Sequence, residues 1–263
     1  MKKIFFFKIN LNSNSIHVKR GDSVKYKFEK EKMNYSDFAS GRVLYNRKGA
    51  TAFPVRLASE IYQRSKKYLN EEGVSTPFSI YDPCCGGAYL LTTLGFLHGE
   101  DFSQIIASDV DEEMIDLAGD NLSLLTIEGI NYRIDELNDY IEKFNKDSHR
   151  KALKSAQRLK LKLKNKNFSF DINYFQADVL KNFVSDIKTD LIITDLPYGN
   201  IVSWSQDKGN NMKIFLDNML QVIKPNSILA LITEKKQVIE PEKFTRIKHF
   251  TIGKRRVSFL TLK

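Results

Sequence analysis

Cysteine is almost absent. Of 263 residues only Cys84 and Cys85 are cysteine, and they are neighbours. Adjacent cysteines cannot staple distant parts of a fold, and no CxxC or Cys/His spacing offers a zinc or iron–sulfur site, so no metal is expected. Long apolar runs are missing as well. None reaches the ~18 residues that a membrane helix needs. Near the start, Ile4–Phe7 is apolar but Lys8 ends it, short of the ~7–15 residues of a signal-peptide core. These absences lead to the expectation of a cytoplasmic chain with no membrane partner. No Pro- or Ser-rich linker divides the chain, and no internal repeat is visible. What is there is a folded composition, 42% hydrophobic and 28% charged, which excludes wholesale disorder.

Acids are nearly missing from one segment. Residues 143–166 hold ten basic residues and one acid, Asp147, against a net charge of +9 for the whole chain. The remainder is therefore neutral, and the entire excess is clustered. A solvated helix face would mix its signs. A cluster of one sign is the electrostatic footprint of a polyanion-binding surface. The basic residues singled out for contact with such a polyanion are Lys151, Lys154, Arg158 and Lys162 here, and Arg255 in the later run Lys254-Arg255-Arg256.

Short apolar runs alternate with helical stretches. The runs are Phe78–Tyr81, Gln104–Ala107, Ile172–Phe175, Leu191–Thr194 and Ile228–Ile232. Helices are predicted from Pro54 and over Tyr89–Leu97, Glu112–Leu125 and Met212–Ile223. Such βαβα alternation predicts an α/β fold with a doubly wound, mainly parallel sheet. Phe244–Ile252 and Val257–Leu262 read as two closing strands around Gly253, an antiparallel finish. Residues 1–36 read as an N-terminal extension, with a strand pair around Arg20-Gly21-Asp22, and 37–263 as the main domain. About 65 residues separate Ala107 from Ile172, where a single-helix crossover rarely needs more than ~30. The excess, about 126–168, reads as a helical insertion, because Ala152, Ala156, Leu159 and Leu163 share one helical face.

Four polar groups close successive strands. Asp82-Pro83-Cys84-Cys85-Gly86-Gly87-Ala88 follows the first run and precedes a helix. Its small residues allow close backbone approach to a ligand, and the helix start offers free N–H groups. It is neither GxGxxG nor a phosphate loop. Asp109 ends the second run, 27 residues past Asp82, where open α/β sheets hold a ribose diol. Asp111, two residues on, reads as a helix cap. Asp178 follows the third run and suits either the polar edge of a base or a turn cap. Asp195-Leu196-Pro197-Tyr198 closes the fourth run. That turn presents a carboxylate, a backbone carbonyl and an aromatic face, which together suit a planar base carrying N–H groups. Cys84 and Cys85 read as small packing residues. Arg56 reads as a phosphate or carboxylate clamp or a solvated helix residue, and Trp204 as a base-stacking or a core residue.

In this order the four motifs resemble the class I S-adenosylmethionine-dependent methyltransferases. DPCCGGAYL stands at the first motif, with Cys84-Cys85-Gly86-Gly87 in place of the usual G-x-G, and DLPY matches the amino-methyltransferase form of the fourth. The stretches DFASGRVLYNRKG, AFPVRLASEIYQR, IASDVDEEMIDLA and TDLPYG resemble the avilamycin-resistance 23S rRNA guanine methyltransferase family from Asp37 onward. The resemblance implies S-adenosylmethionine held by Asp82, Cys85, Gly86, Gly87, Ala88, Asp109 and Asp178. It implies a guanine held by Asp195 and the Leu196 carbonyl beside Pro197, with Tyr198 stacked on the ring. It further implies 23S rRNA or the large ribosomal subunit as partner and resistance to orthosomycin antibiotics; a monomer is expected. Methylation at N1 and at N2 are both compatible with the residues. Two other readings share the motifs: a DNA adenine methyltransferase, and a non-enzymatic RNA-binding protein on the same fold.

Overall fold

The computed structural model describes residues 26–166, 168–181, 186–197, 208–237, 239 and 241–263. Its elements are α1 (Val55–Glu71), β1 (Phe78–Asp82), α2 (Tyr89–His98), β2 (Phe102–Asp109), α3 (Glu112–Ser123), α4 (Ile127–Phe144) and α5 (Asp147–Asn165), followed by β3 (Asp171–Gln176), β4 (Thr189–Asp195), α6 (Lys208–Met219), β5 (Ile223–Glu234), β6 (Phe244–Ile252) and β7 (Arg255–Leu262). The strands form one sheet in the order β3-β2-β1-β4-β5-β7-β6. β1 to β5 are parallel, and β7 is inserted antiparallel between β5 and β6. The doubly wound sheet with an antiparallel finish is thus the fold that the alternation predicted.

β1 is buried at all five positions because it pairs with β2 on one side and β4 on the other. This is why FSIYD lacks the polar alternation of a half-exposed strand. Strand order reverses between β1 and β4, which opens a crevice at the carboxyl ends. On one face of the sheet, Ile80, Ile105, Leu191, Ile193, Val257 and Phe259 pack with α1, α2 and α3. On the other, Tyr81, Ile106, Ile192 and Leu229 meet Phe215 and Met219 of α6.

The insertion is a helical hairpin. Thr126 caps α4 by accepting from the Gly129 N–H at 3.0 Å, and Asn145 turns the chain in the left-handed region. The predicted face of α5, Ala152, Ala156, Leu159 and Leu163, is buried together with Ile130 and Leu137 of α4. Leu125 packs at Gly95 just before the hairpin, and Phe168 packs at Gly99 just after it. Both ends therefore lie toward the amino edge of the sheet, where α2 ends. The 18 residues of α4 rise ~27 Å, and they run toward the carboxyl edge, because Glu136 accepts from Tyr45 Oη at 2.6 Å and the Tyr45 carbonyl accepts from Tyr89 at the start of α2.

Two expectations are corrected. Ile223, expected to end a helix, begins β5 opposite Thr189, and α6 stops at Met219. Tyr26 and Phe28, expected in a strand, are not in one. Instead the N–H groups of Lys27, Phe28 and Glu29 donate to the Glu60 carboxylate. The rest of that expected strand pair lies outside the described residues. The Arg56 guanidinium, for its part, donates to the Glu29 and Lys30 carbonyls and stacks on Tyr26. Among the described residues, no helix is long and apolar enough to cross a membrane.

Candidate active site

The loop from β1 into α2 is shaped by two glycines with different tasks. Gly86 has φ +51°, and a Cβ built there would meet nothing within 4 Å. It supplies a left-handed turn beneath open space. At Gly87 a Cβ would come within 2.7 Å of Leu117 Cδ2, so this glycine lets the loop pack on α3. Ala88 also adopts positive φ, 53°, and no side chain caps α2 there. A buried alanine in that conformation stores strain of order 1–3 kcal/mol, a pattern found at ligand sites.

Asp109 governs the same loop. One carboxylate oxygen accepts from the Gly86 N–H at 2.8 Å and the other from the Asp111 N–H at 3.1 Å. The carboxylate still has acceptor capacity beyond its backbone donors, and the side chain is only half-buried. Burial raises its pKa, opposed by the backbone donors of Gly86, Asp111 and Val110. Asp111 caps α3 by accepting from Glu113 N.

Asp82 is buried beneath the loop and accepts from the Cys84 N–H at 3.1 Å. Burial pushes its pKa up to about 7, with help from the charges of Asp109 and Asp195. Cys85 is buried and Cys84 half-buried. Burial pushes both thiols well above their ordinary range, which disfavours the thiolate form.

Asp178 makes the turn-cap contacts. It accepts from Leu180 N at 3.0 Å and pairs with Lys181 at 3.2 Å. The preceding residue ties it to the edge, because Ala177 N donates to the Asp109 carbonyl at 2.9 Å.

Asp195 ends β4, and Leu196 N donates to the Ile232 carbonyl at 3.0 Å. Pro197 follows half-buried; Tyr198 and Trp204 lie outside the described residues. Arg255, expected either to contact the RNA backbone or simply to be exposed, places its Nε 3.6 Å from Asp195 Oδ2, with the side chain 28% exposed. Its guanidinium sits 5.5 Å from the Phe53 ring centroid. Only the pairing of β7 with β5 brings it there, and no local signal announces such pairing.

Arg158 is exposed and pairs with Asp37, holding that carboxyl below its usual range. Lys162 is half-buried, and burial lowers its pKa. Lys151 and Lys154 are exposed, Lys151 in a surface pair with Asp147 at 2.8 Å.

Sequence reasoning assigned no role to residues 35–46, yet they wall the loop. Tyr89 donates to the Tyr45 carbonyl at 2.9 Å. Asn121 donates to the Gly87 carbonyl at 2.8 Å and, through its Oδ1, accepts from Tyr45 N at 2.8 Å.

A sheet of this order, with a glycine turn under open space, an acid gripping that turn and a second acid opening on the crevice, defines a class I S-adenosylmethionine-dependent methyltransferase. The residues fit the cofactor: a left-handed Gly86 with room above it, an uncapped helix start for a carboxylate, and an acid with spare acceptor capacity for a diol. A family model described as rRNA methyltransferase AviRa matches residues 24–255, and the chain belongs to that family. It is 34% identical over 236 residues to the 23S rRNA (guanine(2535)-N(1))-methyltransferase of Streptomyces viridochromogenes, covering 88% of this chain and 93% of the relative. Two structures of the rRNA methyltransferase aviRa from that organism, at 2.4 Å and 1.5 Å, superpose with a TM-score of 0.79 at 32% identity. The first covers 90% of this chain and 96% of its own.

Asp109→Ala is expected to weaken S-adenosylmethionine binding at least tenfold without unfolding the protein. A charge-assisted contact is worth ~1.5–3 kcal/mol, and the Gly86 turn loses its anchor as well. Calorimetry on the two proteins measures this; equal affinities would remove Asp109 from the cofactor site.

Proposed function

We propose that the enzyme transfers the methyl group of S-adenosylmethionine to N1 of a guanine in 23S rRNA, in the cytoplasm and as a monomer. The observation that carries the reading is the Asp195 carboxylate at the end of β4, on the same crevice as the Gly86 turn and Asp109. The name of the Streptomyces relative supports N1 over N2. The family resemblance adds protection against orthosomycin antibiotics as the outcome.

When bound, the cofactor supplies an electrophilic methyl on a sulfonium. The ribose diol is assigned to Asp109, the methionine end to the backbone of Cys85–Ala88, and the adenine side to the Asp178 turn. Asp195 accepts the N1 proton of the guanine, and the Leu196 carbonyl takes an N2 hydrogen. Tyr198 stacks on the ring. Positioning of the base in line with the methyl group supplies much of the rate.

Primer extension on rRNA treated with the enzyme tests the reading. An N1 methyl blocks the Watson–Crick edge and stops the polymerase, and mass spectrometry of the digest identifies the nucleotide. Methyl label in duplex DNA but not in rRNA would overturn it.

The arm should supply phosphate contacts, since its tip rises toward the edge where the base is held. Lys146, Lys151, Lys154 and Lys164 are four of the exposed basic residues; Arg158 is left to its pair with Asp37 and half-buried Lys162 is left in place. Changing those four to Gln is expected to flatten the slope of log K against log salt by about three units, at ~0.7–0.9 per phosphate contact. Cofactor affinity should stay unchanged, and so should the base that is modified, because phosphate contacts position while base contacts specify. An unchanged salt slope in filter binding would make the arm a solvated helix only.

A further inference from the structure

We propose that Arg255 donates to O6 of the target guanine, so that Asp195 and Arg255 form an acceptor–donor pair that selects guanine and stabilises it as N1 loses its proton. The inference rests on the guanine-N1 reading above and adds a residue that the sequence assigned to the RNA backbone.

The geometry starts from register. Asp195 pairs with Ile232 of β5, and Arg255 lies opposite Glu234, two residues further along the same strand. Arg255 therefore begins beyond the carboxyl edge, and its side chain returns over the end of β5 to bring Nε within 3.6 Å of Asp195 Oδ2. Ile193, two residues before Asp195, and Val257, two residues after Arg255, belong to the same apolar layer, so the pair shares one face of the sheet. Phe53, nearly buried, lies under the guanidinium. A planar cation held against a ring loses little freedom on binding. Both side chains keep access to solvent, 28% for Arg255 and 24% for Asp195.

A carboxylate beside a guanidinium is complementary to one base edge. Guanine offers N2–H and N1–H as donors and O6 as acceptor. Adenine reverses this, with N1 as acceptor and its exocyclic amine as donor. It would set a lone pair against the carboxylate and N–H groups against the cation. A polar site built for one pattern rejects the other strongly, because its charges are left unpaired. The guanidinium has five N–H donors, so it can reach O6 while still facing Asp195.

The reaction balances around this pair. The N1–H bond breaks and its proton passes to the Asp195 carboxylate. The N1 electron pair, delocalised onto O6, forms the new N–CH3 bond as the C–S bond gives its pair to sulfur. Negative charge on O6 peaks while the proton is leaving, and there the Arg255 N–H groups meet it. Stabilisation aimed at developing charge raises kcat more than it lowers KM. Other charges face the same end of the sheet: Asp82 and Asp109, whose fields reach one another, and Glu234 and Arg256 on the adjoining strands.

The test uses full-length enzyme, 23S rRNA and the variants Arg255→Met and Arg255→Lys. In Arg255→Met, kcat is expected to fall at least 100-fold with KM for rRNA and cofactor affinity within threefold. The pH of half-maximal kcat should rise by at least one unit, since both proton donor and proton acceptor lose the same cation. Arg255→Lys should recover part of kcat and most of the pH shift. Preference for guanine over adenine at the target position should drop at least tenfold in Arg255→Met. Thermal melting and cofactor calorimetry verify that the variants are folded, and Arg255→Lys stands in if Arg255→Met is not. Unchanged kcat with raised KM and a flatter salt slope would overturn the proposal and return Arg255 to the RNA backbone. An unshifted pH profile would also overturn it, leaving a structural role. If wild-type enzyme modifies adenine, the functional reading fails together with the O6 role. Modification of guanine with an indifferent Arg255 defeats the O6 role alone.

Discussion

Replacing Asp195 by Ala should lower kcat by about 10²–10⁴-fold, the range for loss of a positioned proton acceptor, while S-adenosylmethionine affinity stays within a few fold. The separation follows from the edge. The cofactor contacts are assigned to the β1 and β2 ends, through Gly86 and Asp109, whereas Asp195 belongs to β4. Asp195→Asn separates two roles of the carboxylate. The amide oxygen still accepts a hydrogen bond but cannot take a proton, so Asn as inactive as Ala identifies a base, and substantial residual activity identifies a positioning contact. Single-turnover methyl transfer and calorimetry on the same preparations measure both quantities. Cofactor binding that collapses in a folded Asp195→Ala protein would mean that the fourth motif belongs to the cofactor site.

The largest expected effect on stability is at Glu60, far from the chemistry. This carboxylate is fully buried in α1 and accepts from Lys27 N at 2.7 Å and from Phe28 N and Glu29 N at 2.9 Å. Arg64, one turn on, adds Nε at 2.7 Å and stacks over Phe250. Burial pushes the Glu60 pKa up, but the three backbone donors and Arg64 outweigh it, and the net shift is down. Its contribution is therefore present above the ordinary carboxylate range and fades as pH falls through the lowered value. Glu60→Ala removes the acceptor shared by three backbone N–H groups and the Arg64 guanidinium, a loss of about 3–5 kcal/mol. For a chain of this size that is roughly 10 °C in melting temperature. Glu60→Gln should lose less, because it keeps volume and one acceptor. A melt of Glu60→Ala within 2 °C of wild type would show that the 26–36 segment adds little to the fold.

Much of the architecture could be read directly from residues. The apolar runs became strands because each is long enough to cross the sheet and is punctuated by turn or capping residues such as Asp111. The α5 face was legible because Ala152, Ala156, Leu159 and Leu163 keep a helical spacing that outweighs the period-two appearance of RLKLKLK. The end of α6 was not legible. Leu220, Val222 and Ile223 suit a helix face and a buried strand equally, and the partner that decides, Thr189, lies more than thirty residues earlier.

The acids at the strand ends could be found for the same reason as the strands. What each one touches could not. Asp109 was read as facing a ligand, yet it also holds the Gly86 turn in place. Asp178 satisfies its own turn, the alternative that the residues left open. Arg255, Arg56 and Glu60 are all explained by long-range pairing, and no spacing in the chain encodes a contact between β4 and β7 or between residue 27 and α1.

The two glycines of the β1–α2 loop have an evolutionary consequence. At Gly87 the obstacle to a side chain is another side chain, Leu117, with Cδ2 at 2.7 Å and Cγ at 3.0 Å. A drift to alanine there is reversible by trimming position 117, so a selection for regained activity in a Gly87→Ala background should return suppressors at Leu117. Gly86 has no such neighbour. Its space is open and its φ is positive, so the burden of a side chain falls on the backbone and on whatever occupies that space. No compensating change elsewhere in the chain can relieve it, and only true revertants should emerge. Gly87 is thus negotiable within a lineage and Gly86 is not.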